Sequence, residues 1–303
     1  MPSEALAGLA LERGGYFVDC TFGRGGHARA ILQYLGSEDR LLALDKDTDA
    51  IASGEARLSR ADPRFELVHG SFARLLEFVE SRGWLGRVSG VLMDLGVSSP
   101  QLDDAGRGFS FTRDGPLDMR MDASRGITAA EWLAGVSETE LVRVLRDYGE
   151  ERYARRIAHA IIDRRSNRPI SATGDLAEII AKAAPTREKG KHPATRSFQA
   201  IRIFINHELD ELESGLRQAV ETLRPGGRLV VISFHSLEDR IVKRYLRDES
   251  RSGGPTGTPW PAPNERAPRL ARVGKATSPS ALETRENPRA RSAVLRVAER
   301  LSA

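Results

Sequence analysis

The chain has 303 residues, 40% hydrophobic and 29% charged, with a formal net charge of +4. That length allows one large domain or two around a sizeable core. No stretch approaches the ~18 uninterrupted apolar residues of a membrane span, and no basic segment leads into an apolar run as in a signal peptide. Cys20 is the single cysteine, which excludes an internal disulfide and a cysteine-built zinc site and points to a reduced, cytoplasmic protein.

Taken in chain order, Tyr16–Phe22, Leu41–Leu44, Phe65–His69 and Val88–Leu95 are predicted strands, with helices at Ala28–Leu35 and Thr48–Ser59 between them. Strands alternating with helices indicate βαβ units and a parallel sheet buried on both faces. The alternation stops at Gln101–Asp122, which is rich in Gly, Asp, Arg and Pro and reads as a long functional loop. Thr128-x-x-Glu131 and Ser137-x-x-Glu140 both have capping-box spacing, so each marks a helix start. Helices are predicted at Glu150–Arg165 and at Asp175–Ala184, the second stopped by Pro185. A long helix over Ser197–Leu223 would present Phe198, Ile201, Ile205, Leu209, Leu212, Leu216 and Val220 as one apolar stripe. After Pro225-Gly226-Gly227 the chain returns to a strand at Arg228–Phe234 and a helix at Leu237–Arg247. Ser250–Pro263 has linker composition, and two last strands are predicted near Arg269–Val273 and Ser292–Ala298. The economical architecture is an α/β domain interrupted by a helical insertion, with residues 1–105 and 201–303 forming the sheet domain and 106–200 the insertion.

Charge is unevenly spread. Arg152–Arg202 holds twelve Lys/Arg against four Asp/Glu, a net of +8, so the remainder of the chain is net acidic. Asn264–Arg300 holds nine basic and four acidic residues. Two concentrated basic regions suit a polyanionic partner, although solvated helix faces give the same composition.

The strongest chemical signal is Asp19-Cys20-Thr21-Phe22-Gly23-Arg24-Gly25-Gly26-His27 at the end of the first strand. Glycines there permit positive φ and close approach of a ligand to the backbone, and the helix that follows directs free amides toward it. Gly23–Ala28 also fits the G-x-G-x-x-A pattern of dinucleotide sites, which alone is weak. Asp45 closes the second strand about twenty residues on, where a carboxylate accepts hydrogen bonds from both ribose hydroxyls of an adenosine. A helix-capping role for Asp45 is the bland alternative. To this point NAD and S-adenosylmethionine are tied. Leu223-Arg224-Pro225-Gly226-Gly227-Arg228-Leu229 resembles the helix-to-strand junction of class I methyltransferases, and Asp94 ends the fourth strand, where such enzymes place the methyl and its acceptor. Ligands of open α/β sheets sit beyond the strands' carboxyl ends, so Asp19, Asp45 and Asp94 are expected to converge there.

Six further runs appear in order. They are Met93–Asp103, Arg107-Gly108-Phe109-Ser110-Phe111, Gly115–Asp122, Lys191–Arg202, Ser233-Phe234-His235-Ser236-Leu237-Glu238-Asp239-Arg240 and Asn287-Pro288-Arg289-Ala290-Arg291-Ser292. Together with Asp19–His27 they resemble the bacterial 16S rRNA (cytosine-N4)-methyltransferases of the MraW/RsmH family, across almost the whole chain. The resemblance implies a class I (Rossmann-like) S-adenosylmethionine-dependent methyltransferase sheet with an inserted helical substrate-recognition domain. It implies cofactor contacts from Gly25, Gly26, His27, Asp45, Phe72, Asp94 and Gln101, with His27 contributing its backbone amide and the Phe72 ring packing on adenine. It also implies a substrate, the exocyclic N4 amine of one cytidine in 16S rRNA near the decoding site of the small subunit.

The lone pair of that nitrogen is delocalised into the ring, so acceptors near the amine are expected to assist attack. Asp94, with Ser98 and Ser99, is the expected source. His235 is a second candidate, with a helix cap as its alternative role. The Asn/Asp-Pro-Pro-aromatic motif of many amine methyltransferases is absent, and Asp94-Leu95-Gly96-Val97 stands in its place. Lys189, Lys191, Arg196 and Arg202 in the insertion and Arg285, Arg289 and Arg291 near the C-terminus are the expected RNA contacts. Arg289 and Arg291 would otherwise anchor the last strand. Members of the family usually carry a short His-x-Pro-Val-like segment before the first helix, and this chain begins Met1-Pro2-Ser3-Glu4. No metal cluster is visible, because His192, His207 and His235 are not spaced as a ligand set. Monomer and homodimer are equally open. A NAD-dependent dehydrogenase and a non-catalytic RNA-binding assembly factor are the two alternatives.

Overall fold

The computed structural model describes residues 1–54, 62–184, 192–251 and 267–302. The end of the helix expected over Thr48–Ser59 and most of the Ser250–Pro263 linker lie outside the described residues. In chain order the first part holds α1 (Pro2–Leu9), β1 (Tyr16–Asp19), α2 (Gly26–Leu32), β2 (Arg40–Asp45), α3 (Thr48–Gly54), β3 (Phe65–His69), α4 (Leu75–Glu80) and β4 (Val88–Asp94). The helices α5 (Ser99–Asp103), α6 (Ala129–Gly135), α7 (Glu138–Gly149), α8 (Ala154–Asn167), α9 (Thr173–Ala183) and α10 (Thr195–Ile205) follow. The chain closes with α11 (Glu208–Thr222), β5 (Leu223–Ser233), α12 (Ser236–Glu249), β6 (Leu270–Thr277), α13 (Ala281–Glu286) and β7 (Val294–Arg300). It divides into two compact units, Met1–Gly96 with Leu209–Ala303 and, between them, Val97–Glu208. The inserted unit is wider on both sides than the 106–200 span read from composition.

In the first unit the seven strands run in the order β3-β2-β1-β4-β5-β7-β6. The first five are parallel, whereas β7 pairs antiparallel with both β5 and β6. Successive side chains of a strand face opposite sides of a sheet. Leu42, Leu44, Val91 and Met93 therefore join Leu212, Leu216 and Val242 in one core, while Leu41, Ala43 and Leu92 join Ala5, Leu9 and Ile31 in the other. Burial on both faces explains the near-continuous apolar strands. The helix α1, which lacks a distinctive sequence signal, belongs to the second of these cores through Ala5 and Leu9.

The second unit is helical. Thr128 Oγ1 accepts the Glu131 N–H and Glu131 Oε2 accepts the Thr128 N–H, a complete capping box at the start of α6. At α7 only half of the expected box forms. Ser137 accepts from Glu140, whose carboxylate turns instead to Arg143 at 2.6 and 2.9 Å. Gln101–Asp122, expected as a loop, opens within α5, makes a 3-10 turn at Ala105–Arg107 and is otherwise irregular, but it is not free. Leu117, Met119 and Met121 are buried in this unit's core, and the Leu117 N–H and the Gly115 carbonyl bond to Ser171 and Thr173.

The helix expected to run unbroken over 197–223 is two helices. Asn206 follows α10, its side-chain amide donating to the carbonyls of Arg202 and Met119, and His207 takes a left-handed φ of +51°. The expected stripe splits accordingly. Phe198 and Ile201 enter the core of the inserted unit, and Leu212, Leu216 and Val220 enter that of the sheet.

Candidate functional site

Three strands of the sheet unit end in carboxylates: Asp19 on β1, Asp45 on β2 and Asp94 on β4. Because β2 and β4 both pair with β1 in parallel, these ends lie side by side on one rim. Asp19 is fully buried. One of its oxygens accepts the Thr21 N–H at 3.1 Å, and the other has no hydrogen-bond partner. Burial lifts its carboxyl to about 6; Asp94 and Asp45 push the same way, against His27 and the Thr21 amide.

Asp94 is held by its backbone and by a histidine. Its N–H donates to Thr21 Oγ1 (2.7 Å), Oδ2 lies 3.3 Å from His27 Nε2, and Oδ1 is buried without a hydrogen-bond partner. Burial disfavours the His27 imidazolium, but the Asp94 hydrogen bond and charge, with Asp19 behind, outweigh it and raise the histidine's pKa. His27 Nδ1 is also buried and unpartnered. Sequence reasoning gave His27 only a backbone role and gave Thr21 none; the imidazole and the hydroxyl both act on Asp94. The available signal was position, because Thr21 and His27 flank the glycine turn that follows Asp19.

The turn itself is built on positive φ, +56° at Gly23 and +70° at Gly25, which L side chains adopt reluctantly. Asp45 braces it. Its Oδ2 accepts the Gly23 N–H (2.7 Å) and its Oδ1 the Asp47 N–H (2.8 Å), and burial raises its pKa despite these two bonds. Each carboxylate oxygen has a second lone pair, so a diol can still bind there. Gly26, which opens α2, has empty space where a Cβ would stand. Phe72 follows β3, half-buried beside the core, its ring so close to Gly215 of α11 that a Cβ there would come within 2.5 Å. Ring packing is thus one established role of Phe72.

The remaining expected residues fall elsewhere or carry structural duties. His235 is the N-cap of α12. Its Nδ1 accepts the Glu238 N–H at 3.5 Å, and Glu238 Oε2 returns to the Phe234 N–H at 2.8 Å. Ser98 caps α5, and Gln101 Oε1 accepts the Ser98 N–H (2.8 Å) in a reciprocal box. Both, with Ser99, belong to the inserted unit. Arg202 forms a two-pronged ion pair with Glu208 at 2.8 and 2.9 Å, both side chains largely buried, which is a different use from the phosphate contact expected of it. Arg196 donates to the Glu150 carbonyl. Arg285, Arg289 and Arg291 are exposed on the segment joining β6 to β7. Lys189 and Lys191 lie outside the described residues. No helix among the described residues is long and apolar enough to cross a membrane.

The unpartnered oxygens of Asp19 and Asp94 suit a cationic ligand, and Asp45 beside a glycine turn suits a ribose. The rim therefore fits S-adenosylmethionine, whose sulfonium and amino groups are positive and whose adenosine carries the diol.

The chain also has named relatives among known proteins. The chain is 59% identical over 303 residues to "Ribosomal RNA small subunit methyltransferase H" of Methylococcus capsulatus, covering 100% of both chains. It is 58% identical over 300 residues to the protein of the same name from Chromohalobacter salexigens, covering 98% of this chain and 89% of the relative. Among solved structures, the N-methyltransferase NodS of Bradyrhizobium japonicum aligns with 99% of this chain and 94% of its own at 8% identity and a TM-score of 0.41. The profile of the MraW methylase family matches residues 1–301, and this chain belongs to that family.

Proposed function

We propose that this protein transfers a methyl group from S-adenosylmethionine to the N4 exocyclic amine of one cytidine in 16S rRNA of the small ribosomal subunit, near the decoding site, in the cytoplasm. Family membership and full-length relatives named as small-subunit rRNA methyltransferases support the reaction class. The observation that carries the site is the buried Asp94 Oδ1, an acceptor left unused by the protein itself.

The cofactor, when bound, supplies a methyl group activated by a sulfonium. Asp45 and the Gly25-Gly26-His27 turn would hold its adenosine, with Phe72 beside the base. Asp19, Asp94 and Gln101 would receive its polar and charged groups. Asp94 would also accept a hydrogen bond from the substrate amine, favouring the pyramidal nitrogen that attack requires and taking up positive charge as the new bond forms. His27, at 3.3 Å, orients that carboxylate. Ser98 and Ser99 would offer hydroxyl acceptors from the segment after β4. His235, occupied as a helix cap, is the weaker choice of proton acceptor. The target base must leave its stack to reach any such pocket. The inserted unit is the proposed substrate-recognition domain, with Lys189, Lys191 and Arg196 as its phosphate contacts.

Labelled methyl from S-adenosylmethionine should enter the RNA of isolated small subunits, and mass spectrometry should place it on one cytidine. Cofactor binding without any transfer, to subunits or naked rRNA, would leave a non-catalytic assembly factor instead. Preference for NAD over S-adenosylmethionine would remove the reaction altogether.

A further inference from the structure

The far edge of the sheet unit carries a hollow that the methyl-transfer site does not use. A groove of about 630 Å³ lies between α12 and the edge strand β6. Lys243 and Leu246 line it from α12, Arg272 and Lys275 from β6, and Arg296 from β7. Among the described residues no carboxylate lines it. Arg296 is neutralised from one side, its guanidinium held by both oxygens of Asp239 at 2.7 and 3.0 Å. Lys243, Arg272 and Lys275 are exposed, and none is within ion-pair distance of a carboxylate among the described residues. Arg272 pairs with Ala298, on the face of the sheet that α12 covers.

The strand register fixes where this groove opens. Asp94 pairs with Ile232, Ile232 with Leu295, and Leu295 with Thr277, the last residue of β6. The Lys275 end of the groove therefore lies on the same rim as Asp94, three strand spacings or about 14 Å along it. The connection carrying Arg285, Arg289 and Arg291 leaves β6 at that end.

We propose that this α12–β6 groove binds the phosphate backbone of single-stranded rRNA flanking the methylated nucleotide. The inference rests on the rRNA reading above and adds a surface to it. Lysine and arginine on an edge strand also deter strand pairing. That role would neither bring Lys243 of α12 into the same hollow nor keep carboxylates out of it. Cations converging from two elements without counter-charges match a strand of phosphates, each contact releasing bound counterions.

The test is the combined Lys243→Ala, Arg272→Ala and Lys275→Ala variant, read by methyl transfer to small subunits and by binding of a short single-stranded oligoribonucleotide across salt concentrations. The expected result is a KM for RNA raised at least about tenfold with kcat nearly unchanged, and a log Kd against log salt slope shallower by about 2, from about 0.7 per lost contact. Cofactor affinity and melting temperature should match the parent chain, and the combination of Lys243→Ala and Lys275→Ala with Arg272→Lys should recover about 0.7 of the lost slope. Parent-like KM and salt slope in the triple variant would overturn the groove while leaving the methyl-transfer reading intact. A parent chain that binds cofactor yet neither methylates nor binds the RNA would instead overturn the reading on which the groove depends.

Discussion

In the sheet unit, Asp19 Oδ2, His27 Nδ1 and Asp94 Oδ1 are buried without hydrogen-bond partners. In the helical unit the buried Asn206 accepts from the Met121 N–H and donates to the carbonyls of Met119 and Arg202, while Arg202 itself meets Glu208 through two hydrogen bonds. An unsatisfied buried polar group costs ~1–3 kcal/mol, and more when charged. The sheet unit concentrates that cost in three neighbouring residues at its rim, with Arg224 Nε and Tyr245 Oη as further instances; the helical unit bears it at Ser197 Oγ but uses Asn206 and Glu208 to hold an irregular segment and a helix end. The contrast separates residues poised for a ligand from residues that keep a shape. It also assigns Arg202, basic and within the positive segment, to the second kind.

The largest expected effect comes from breaking the poised side. Asp94→Asn should lower methyl transfer at least about 100-fold, the usual loss when one preorganised electrostatic partner is removed. Its melting temperature should change little, because the like charge that raises Asp19 and the partner that raises His27 are lost together. Near-normal turnover would show that the buried oxygen has no part in the chemistry. On the shape-keeping side, Asn206→Ala should cost about 2–4 kcal/mol in urea unfolding, since the Met121 N–H and the Met119 carbonyl lose their buried partner. Cofactor affinity should survive; a selective loss of affinity with unchanged stability would undo the contrast.

The smallest effect is a pH dependence. Asp19 rises from 3.8 to about 6 on folding, so the folded state holds that proton more tightly than the unfolded chain. Stability should therefore fall as pH rises through this window, by up to about 3 kcal/mol at 1.36 kcal/mol per unit. His27, also raised, favours the folded state while protonated, and that contribution is lost as pH rises above its folded value. Melting curves of the free protein should show both losses. Asp19→Asn should flatten the lower part of the curve, and an unchanged slope would mean that Asp19 is not the group responsible.

Much of the sheet was legible because period-two alternation and buried runs declare themselves locally: β3 falls at its predicted residues, and β2 and β4 within two residues of theirs. The carboxylates ending β1, β2 and β4 were legible for the same reason, since a polar residue at the close of an apolar strand is conspicuous. What could not be seen was which partner each polar group would find. Asn206 and His207 interrupt an apolar pattern that continues on both sides, because the stripe serves two cores and pattern alone records only that both halves are buried. Asp45 bracing Gly23, and Thr21 and His27 reaching Asp94, join residues from separate elements.

The amino-acid sequence alone determined the alternating elements, the glycine turn and the three acidic strand ends, since each depends on neighbours within a few positions along the chain. Only the tertiary structure decided that Asp94 keeps an unused oxygen, that Arg202 is consumed by Glu208, and that Lys243 and Arg272 share one hollow. Hydrogen-bond satisfaction and charge pairing depend on distances across the fold, and chain order does not contain them.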